Sequence, residues 1–330
     1  MAKPATKQAA PLSVPATWPD NYDADHQAAV GQIIHWLNDN AMTQSWLARL
    51  SRMSPSTVSQ ILGGKYPTLP SKQLREMQAA IEAHDNRASI ATVPFVPTSV
   101  YQMARLVCDR ARKYANFGVL VGSVGVGKTA ALKQYQRDNE HTTVIEANPN
   151  MTAGVLLTEL LTALGAPCPN SMDKKFSAVV EALADSTRLL IIDEAETMMP
   201  QCLHYLRRIR DKANVGIVLA GTERLMQLIK PARGQFDQIR SRVGFWPSAI
   251  QRVERTDVDA IAQAALADQG ELSADVLDAL WHYCQGSVRM LVENMIPALR
   301  DYALFKYDIS AEVIDKTAEK VLFLPPRRVA

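Results

Sequence analysis

Gly122-Ser123-Val124-Gly125-Val126-Gly127-Lys128-Thr129 fits the pattern G-x-x-x-x-G-K-[ST] at every fixed position, and it stands between a short apolar run, Phe117 to Val121, and a helix-forming stretch, Ala130 to Arg137. A buried strand, a glycine-rich turn and a helix, in that order, are the context in which such a loop cradles phosphate. The glycines let backbone N–H groups turn inward onto phosphate oxygens, and the helix after the loop adds its positive N-terminal end. Gly122 through Ala130 are therefore the expected nucleotide contacts. Lys128 would reach the β- and γ-phosphates, and Thr129 would offer its hydroxyl to Mg²⁺.

A phosphate loop needs a second magnesium anchor. Leu189-Leu190-Ile191-Ile192-Asp193-Glu194 has the form of one: four apolar residues of a buried strand ending in two carboxylates. Asp193 would hold Mg²⁺ through water, and Glu194 would orient or deprotonate the water that attacks the γ-phosphate. Val215 to Ala220 reads as a further strand, with Gly221-Thr222 at its end. There the Thr222 hydroxyl can help hold the attacking water, or simply cap the helix that begins at Glu223.

Working outward, a chain of 330 residues with 47% hydrophobic and 21% charged residues has room for two or three domains, each with its own core. A formal net charge of +2 is too small to argue for nucleic acid by itself, so that argument rests on where the charges lie. The apolar runs are far shorter than a membrane span and the first twenty residues lack a signal-peptide core. The expectation is a protein of the cytoplasm with no membrane partner. Cys108, Cys168, Cys202 and Cys284 have neither metal-ligand nor disulfide spacing and read as small buried hydrophobes, and the six histidines form no ligand cluster.

Residues 1–20, rich in Pro, Ala and Thr, read as a mobile arm. Residues 21–85 show short helical periods. Ile33, Ile34 and Leu37 mark one face, Thr43 to Leu50 a second helix, and Ser54-Pro55 an N-cap with proline at the first helical position of a third, which stops at Gly63-Gly64. Gln44, Leu47, Ala48, Val58, Ser59 and Leu62 are spaced as in a helix-turn-helix, with Arg52 at a turn position that favours glycine. Between Asn40 and Arg75 lie Arg49, Arg52, Lys65, Lys72 and Arg75 and no acidic residue. Two readings stay open: a DNA-facing surface with Ser56, Thr57, Gln60 and Lys65 exposed, or a helical protein-interaction domain. A last helix, Ser71 to His84, precedes an expected linker over 86–99, which holds Pro94 and Pro97.

Over 100–250 helices and strands alternate, which predicts a parallel sheet flanked by helices. Four strands are expected, at 117–121, 142–147, 188–192 and 215–220. From 251 to 330 only helices remain, with Pro297 set to kink or split the stretch Ser287 to Phe305.

In that order these parts resemble AAA+ ATPases: an α/β P-loop NTPase core with an all-α C-terminal lid, here preceded by a small all-α helix-turn-helix domain. Gly125 to Ala130, Leu190 to Ala195, Val215 to Gly221, Ser241-Arg242 and Gly286 to Leu291 are similar, more narrowly, to the target-DNA-binding ATPases of phage transposition. The resemblance implies that Arg240 or Arg242 is a finger reaching the γ-phosphate of a neighbouring subunit, and that Arg289 is a lid arginine contacting the nucleotide from within the subunit. It also implies ATP and Mg²⁺ as cofactors, ATP-dependent homo-oligomers forming filaments or helical rings, and double-stranded DNA and a transposase as partners. On the expected helix 200–212, Leu203, Leu206 and Ile209 mark a core face and leave Arg207, Arg208, Arg210 and Lys212 to solvent. Those charges either track a duplex backbone or form a solvated face.

The function implied is an ATPase that binds duplex DNA with little sequence preference, assembles on target DNA and delivers it to a transposase that it activates. A sequence-specific regulator controlled by ATP, or an assembly ATPase of secretion or replication, stands as the alternative.

Overall fold

The structure, a computed structural model, describes residues 12–40, 42–91, 93–184, 186–230 and 236–327, with the backbone alone over 84–91. The expected arm over residues 1–11 lies outside them. Contacts divide the chain between residues 92 and 93 into two compact units.

The first unit is all helical: α1 (Ala24–Asp39), α2 (Gln44–Leu50), α3 (Pro55–Leu62) and α4 (Ser71–Ala91). Asp23, Thr43 and Ser54 each cap a helix by accepting a backbone N–H three residues on, which satisfies one donor the helix itself leaves open. The apolar faces meet in one core containing Tyr22, Val30, Ile34, Leu37, Leu47, Val58, Ile61, Leu74 and Met77. Arg52, in the turn between α2 and α3, has φ 55°, so the position that favours glycine is left-handed here too, at the steric cost a Cβ brings.

Two expectations are corrected in this unit. The second half of the arm is docked: Leu12 exchanges hydrogen bonds with the Asn38 side chain at 2.9 and 2.8 Å, and the Trp18 ring lies 5.4 Å from that of Tyr22. The helix expected to stop at His84 continues to Ala91. No glycine or proline interrupts Asn86 to Ala91, and the first breaker is Pro94.

The second unit opens with α5 (Ser99–Tyr114), β1 (Phe117–Val121), α6 (Lys128–Asp138) and β2 (Thr142–Glu146). It continues with α7 (Ala153–Leu164), α8 (Met172–Leu183), β3 (Leu189–Asp193), α9 (Pro200–Ala213) and β4 (Gly216–Gly221). Two short helices, α10 (Glu223–Ile229) and α11 (Asp237–Arg240), lead to β5 (Val243–Phe245). The strands form one parallel sheet in the order β2-β3-β4-β1-β5. β5 is a strand beyond the four expected; at three residues, none of them buried, it is too short to show a period.

β1, β3 and β4 are buried along their whole length because helices cover both faces of the sheet. Their side chains alternate between two cores, as period two requires. Leu120, Leu189, Ile191, Val218 and Ala220 face α5 and α6, while Val119, Val121, Leu190, Ile192, Ile217 and Leu219 face α7, α8 and α9.

The C-terminal helices are α12 (Arg255–Ala265), α13 (Ala274–Cys284), a π-helical stretch over Met290–Met295, α14 (Ile296–Tyr302) and α15 (Ala311–Lys320). Pro297 sits in the first turn of α14, and the wider π-type turn just before it is the break the proline was expected to impose. Val258, Ile261, Leu280, Leu291, Leu299 and Ile314 belong to the same core as α5 and the sheet face beneath it. The lid therefore shares the core of the nucleotide domain and has none of its own. Among the described residues no helix is long and apolar enough to cross a membrane.

Candidate active site

The parallel register places the ends of β1, β3 and β4 side by side, the edge at which ligands bind in open α/β sheets. Val121 pairs with Gly221 and Ile192 with Leu219, and the Gly122 N–H donates to the Gly221 carbonyl at 3.1 Å. Three segments are thereby brought together: the glycine-rich loop after β1, Asp193 and Glu194 at the end of β3, and Thr222 after β4.

The loop is anchored on both sides. Ser123 N–H donates to the Ile250 carbonyl at 2.8 Å, and the Arg289 N–H donates to the Gly125 carbonyl at 3.0 Å. Gly125 has φ +83°, and a Cβ there would stand 2.9 Å from Ser287 Oγ and 3.1 Å from Arg289 Cβ. Glycine is thus needed at 125 both for its backbone conformation and for the approach of the lid. Lys128 Nζ donates to the carbonyls of Gly122 and Ser123 at 2.8 and 3.0 Å, which holds its charge at the mouth of the loop. Burial lowers the Lys128 ammonium below its ordinary value, with Asp193 and then Glu196 acting in the opposite sense.

Thr129 Oγ1 donates to Asp193 Oδ2 at 2.6 Å, and Asp193 is buried. A hydroxyl beside a carboxylate is a pair of hard oxygen donors of the type Mg²⁺ takes while keeping most of its water. α6 begins at Lys128 with no side-chain cap on its first N–H groups, which leaves those donors to an anion. The residues present therefore fit a magnesium-bound polyphosphate. Among the described residues no cluster of three or more His, Cys, Asp or Glu side chains could hold a metal on its own.

Glu194 is exposed and has φ 53°, an uncommon conformation for a residue with a Cβ, stabilised by its own N–H to Asp193 Oδ1 at 3.0 Å and by Thr197 bonding to its carbonyl. The chain leaves the sheet there, directly after Asp193 at the end of β3. Thr222 stands at the N-cap of α10 but makes no side-chain cap bond. Its hydroxyl and N–H instead both go to Glu196 Oε1, at 2.6 and 2.9 Å. Glu196 is a site residue that sequence reasoning misses; its only trace in the sequence is its place two residues after Glu194.

The arginines divide. Arg289 lies over the loop, exposed, with Nε 3.3 Å from Glu293. Arg242 is held by Asp211 through Nε and Nη2 at 2.8 and 2.9 Å, and by the Gln238 carbonyl. Arg240, at the end of α11, is exposed.

On α9 the expectation that four cations face solvent fails for two of them. Arg210 donates through Nε to the Ala115 carbonyl at 2.7 Å, at the left-handed end of α5, and Arg207 Nε is buried. Arg208 and Lys212 are exposed and share the Phe176 ring, at 4.5 and 5.6 Å from its centroid. In the first unit Ser56, Gln60 and Lys65 are exposed on and after α3, while Thr57 is half-buried and bonded to the Ser54 cap. Cys108, Cys202 and Cys284 are buried as expected, and Cys168 is exposed.

Residues 111–229 match the AAA domain family, a span that holds the loop, Asp193 and Thr222. The Mu-like prophage FluMu DNA transposition protein B of Haemophilus influenzae is 23% identical over 273 residues, covering 80% of this chain and 94% of that protein. The ATP-dependent target DNA activator B of Escherichia phage Mu is 29% identical over 224 residues, 66% of this chain and 71% of its own length. Domain III of the Thermotoga maritima replication initiation protein DnaA, at 18% identity, covers 66% of this chain and 89% of that domain with a TM-score of 0.45. Residues 111–229 are thus similar to AAA domains, and the chain as a whole is similar to the B proteins of Mu-like phages.

Proposed function

We propose that this chain, a homologue of the phage B proteins with an AAA core, is an ATPase of DNA transposition: it binds duplex DNA with little sequence preference in its ATP state, assembles there and activates a transposase. The observation that carries the reading is the convergence of the Lys128 loop, the Thr129–Asp193 pair and Thr222 at one sheet edge, with Arg289 seated on the loop. ATP dependence, target DNA and transposition are what the relatives are named for.

The division of labour follows from the side chains. Thr129 and Asp193 would hold a magnesium ion, which would supply positive charge to the phosphates. Lys128 and the loop N–H groups hold the phosphates, and Glu194, exposed just beyond Asp193, is placed to take the proton of the attacking water. Arg289 closes the site from the lid. Arg240 is the better candidate for a finger given to a neighbouring subunit, because Arg242 would first have to leave Asp211 and Gln238. The duplex backbone meets Arg208 and Lys212, with Ser56, Thr57, Gln60 and Lys65 as the surface of the first unit that reaches DNA.

The test is binding to random-sequence duplex with and without a slowly hydrolysed ATP analogue, read by anisotropy and electron microscopy. ATP-dependent, sequence-indifferent assembly is the expected result. A preference for one operator by orders of magnitude would favour the regulator, and no duplex binding at low salt in any nucleotide state would end the reading.

A further inference from the structure

Thr222 and Glu196 follow different strands, β4 and β3, and meet beside the loop after β1. Ala195 N–H donates to the Ala220 carbonyl at 2.9 Å, which pins the turn carrying Glu196 against the end of β4. Glu196 then takes both donors of Thr222 on a single oxygen, Oε1, with the hydroxyl at 2.6 Å. That length is typical of a hydrogen bond to an ionised carboxylate. The second oxygen, Oε2, is buried and makes no hydrogen bond among the described residues. It occupies space that only a glycine leaves: a Cβ on Gly221 would fall 2.0 Å from it.

A buried carboxylate oxygen without a partner is costly, and an apolar side chain could fill the same space without that cost. A carboxylate here does something else. A threonine hydroxyl has one proton and two lone pairs. While that proton points at Glu196, Thr222 can only accept, and a phosphate oxygen, itself only an acceptor, gains nothing from it. A water molecule can donate to it.

We infer that Glu196 is a positioning residue of the hydrolytic site: by taking the Thr222 proton it fixes the Thr222 oxygen as an acceptor, so that Thr222 orients the attacking water and does not bind the γ-phosphate. This rests on the ATPase reading above.

The experiment measures the steady-state kcat and KM for ATP of the full chain, with nucleotide affinity followed separately by a fluorescent ATP analogue. Glu196→Ala and Thr222→Val are each expected to lower kcat by roughly ten- to a hundredfold while leaving ATP affinity unchanged or tighter. The double variant is expected to be no slower than the slower single one, because both remove the same oriented acceptor. Thr222→Ser should recover part of the loss, and Gly221→Ala, which pushes Glu196 off Thr222, should reproduce the Glu196→Ala kinetics. Should Glu196→Ala fail to fold, Glu196→Leu keeps the bulk without an acceptor for the Thr222 proton and is expected to lower kcat in the same way. Wild-type kcat in the Glu196 variants, multiplying losses in the double variant, or a loss confined to ATP affinity would each overturn the assignment. A wild-type protein that turns over no ATP at all would instead bring down the ATPase reading, and this inference with it.

Discussion

The phosphate end of the sheet and the outer face of α9 both consist of polar residues on an apolar scaffold, yet their side chains are committed in different ways. At the sheet end the backbone decides. β1 ends, the loop turns, and Lys128, Thr129 and Asp193 have one place to be, because the parallel register aligns the strand ends. On α9 distant neighbours decide. Arg207 and Arg210 are drawn inward while Arg208 and Lys212, on the same helix, stay at the surface over Phe176. Helical periodicity identifies the residues on the outer face, whereas their availability to a ligand depends on what the rest of the chain brings up to them.

The comparison is tested most severely at Lys128. Lys128→Ala removes a charge held at the mouth of the loop by the Gly122 and Ser123 carbonyls, and it is expected to slow ATP hydrolysis by about a thousandfold and weaken ATP binding roughly ten- to a hundredfold. Turnover and a nucleotide titration measure the two effects, and a protein that keeps wild-type turnover removes the loop from the chemistry.

Arg210→Ala tests the other side of the contrast as a stability effect. It leaves the Ala115 carbonyl without the guanidinium that bonds it, a loss of about 2 kcal/mol, seen as a fall in Tm of roughly 4–8 °C. DNA binding should be unaffected. Were DNA affinity lost with Tm unchanged, Arg210 would belong to the ligand and the division of α9 would be wrong.

Arg208→Ala and Lys212→Ala should behave in the reverse manner. Each is expected to lower the magnitude of the salt slope of DNA binding by about 1, with Tm within about 2 °C of the wild type. An unchanged slope for both would make this face an ordinary solvated one.

The smallest effect is the acid limb of stability. Burial pushes the Asp211 carboxyl up, but the hydrogen bonds from Arg242 and Arg210 outweigh it and leave the carboxyl below its ordinary 3.8. A depressed carboxyl contributes stability that is complete above its unfolded value and is lost as pH falls through the lower folded one. Asp211→Asn should therefore flatten the decline of Tm below about pH 4, and an unchanged decline would show that the Arg242 pair holds nothing at neutral pH either.

Much of the site was legible for a physical reason. A backbone that wraps a phosphate tolerates few residues, so a loop of that pattern can be read in one contiguous stretch, Gly122 to Thr129, and the structure brings it beside Asp193 as the sequence predicts. Glu196 was not legible, because its role depends on the glycine and threonine that close β4, and nothing in its own neighbourhood reports them. Neither was the partner of Arg210, a carbonyl at position 115. β5 escaped because three residues carry no period. The end of α4 was misplaced because the polar stretch after His84 lacks a breaker, and polarity alone does not stop a helix. The sharing of one core by the C-terminal helices and the sheet, through Val258, Ile261 and Leu280, has no trace in the helical periods that mark those residues.

Gly125, finally, acts as a gauge of how closely the C-terminal bundle rests on the loop. Ser287 and Arg289 press on it at a distance where no methyl group fits, so alanine there would work as a wedge, lifting the bundle by a few tenths of an ångström or twisting the loop. The helices after residue 255 are thereby coupled mechanically to the backbone of the loop, without any hinge being required between them and the sheet.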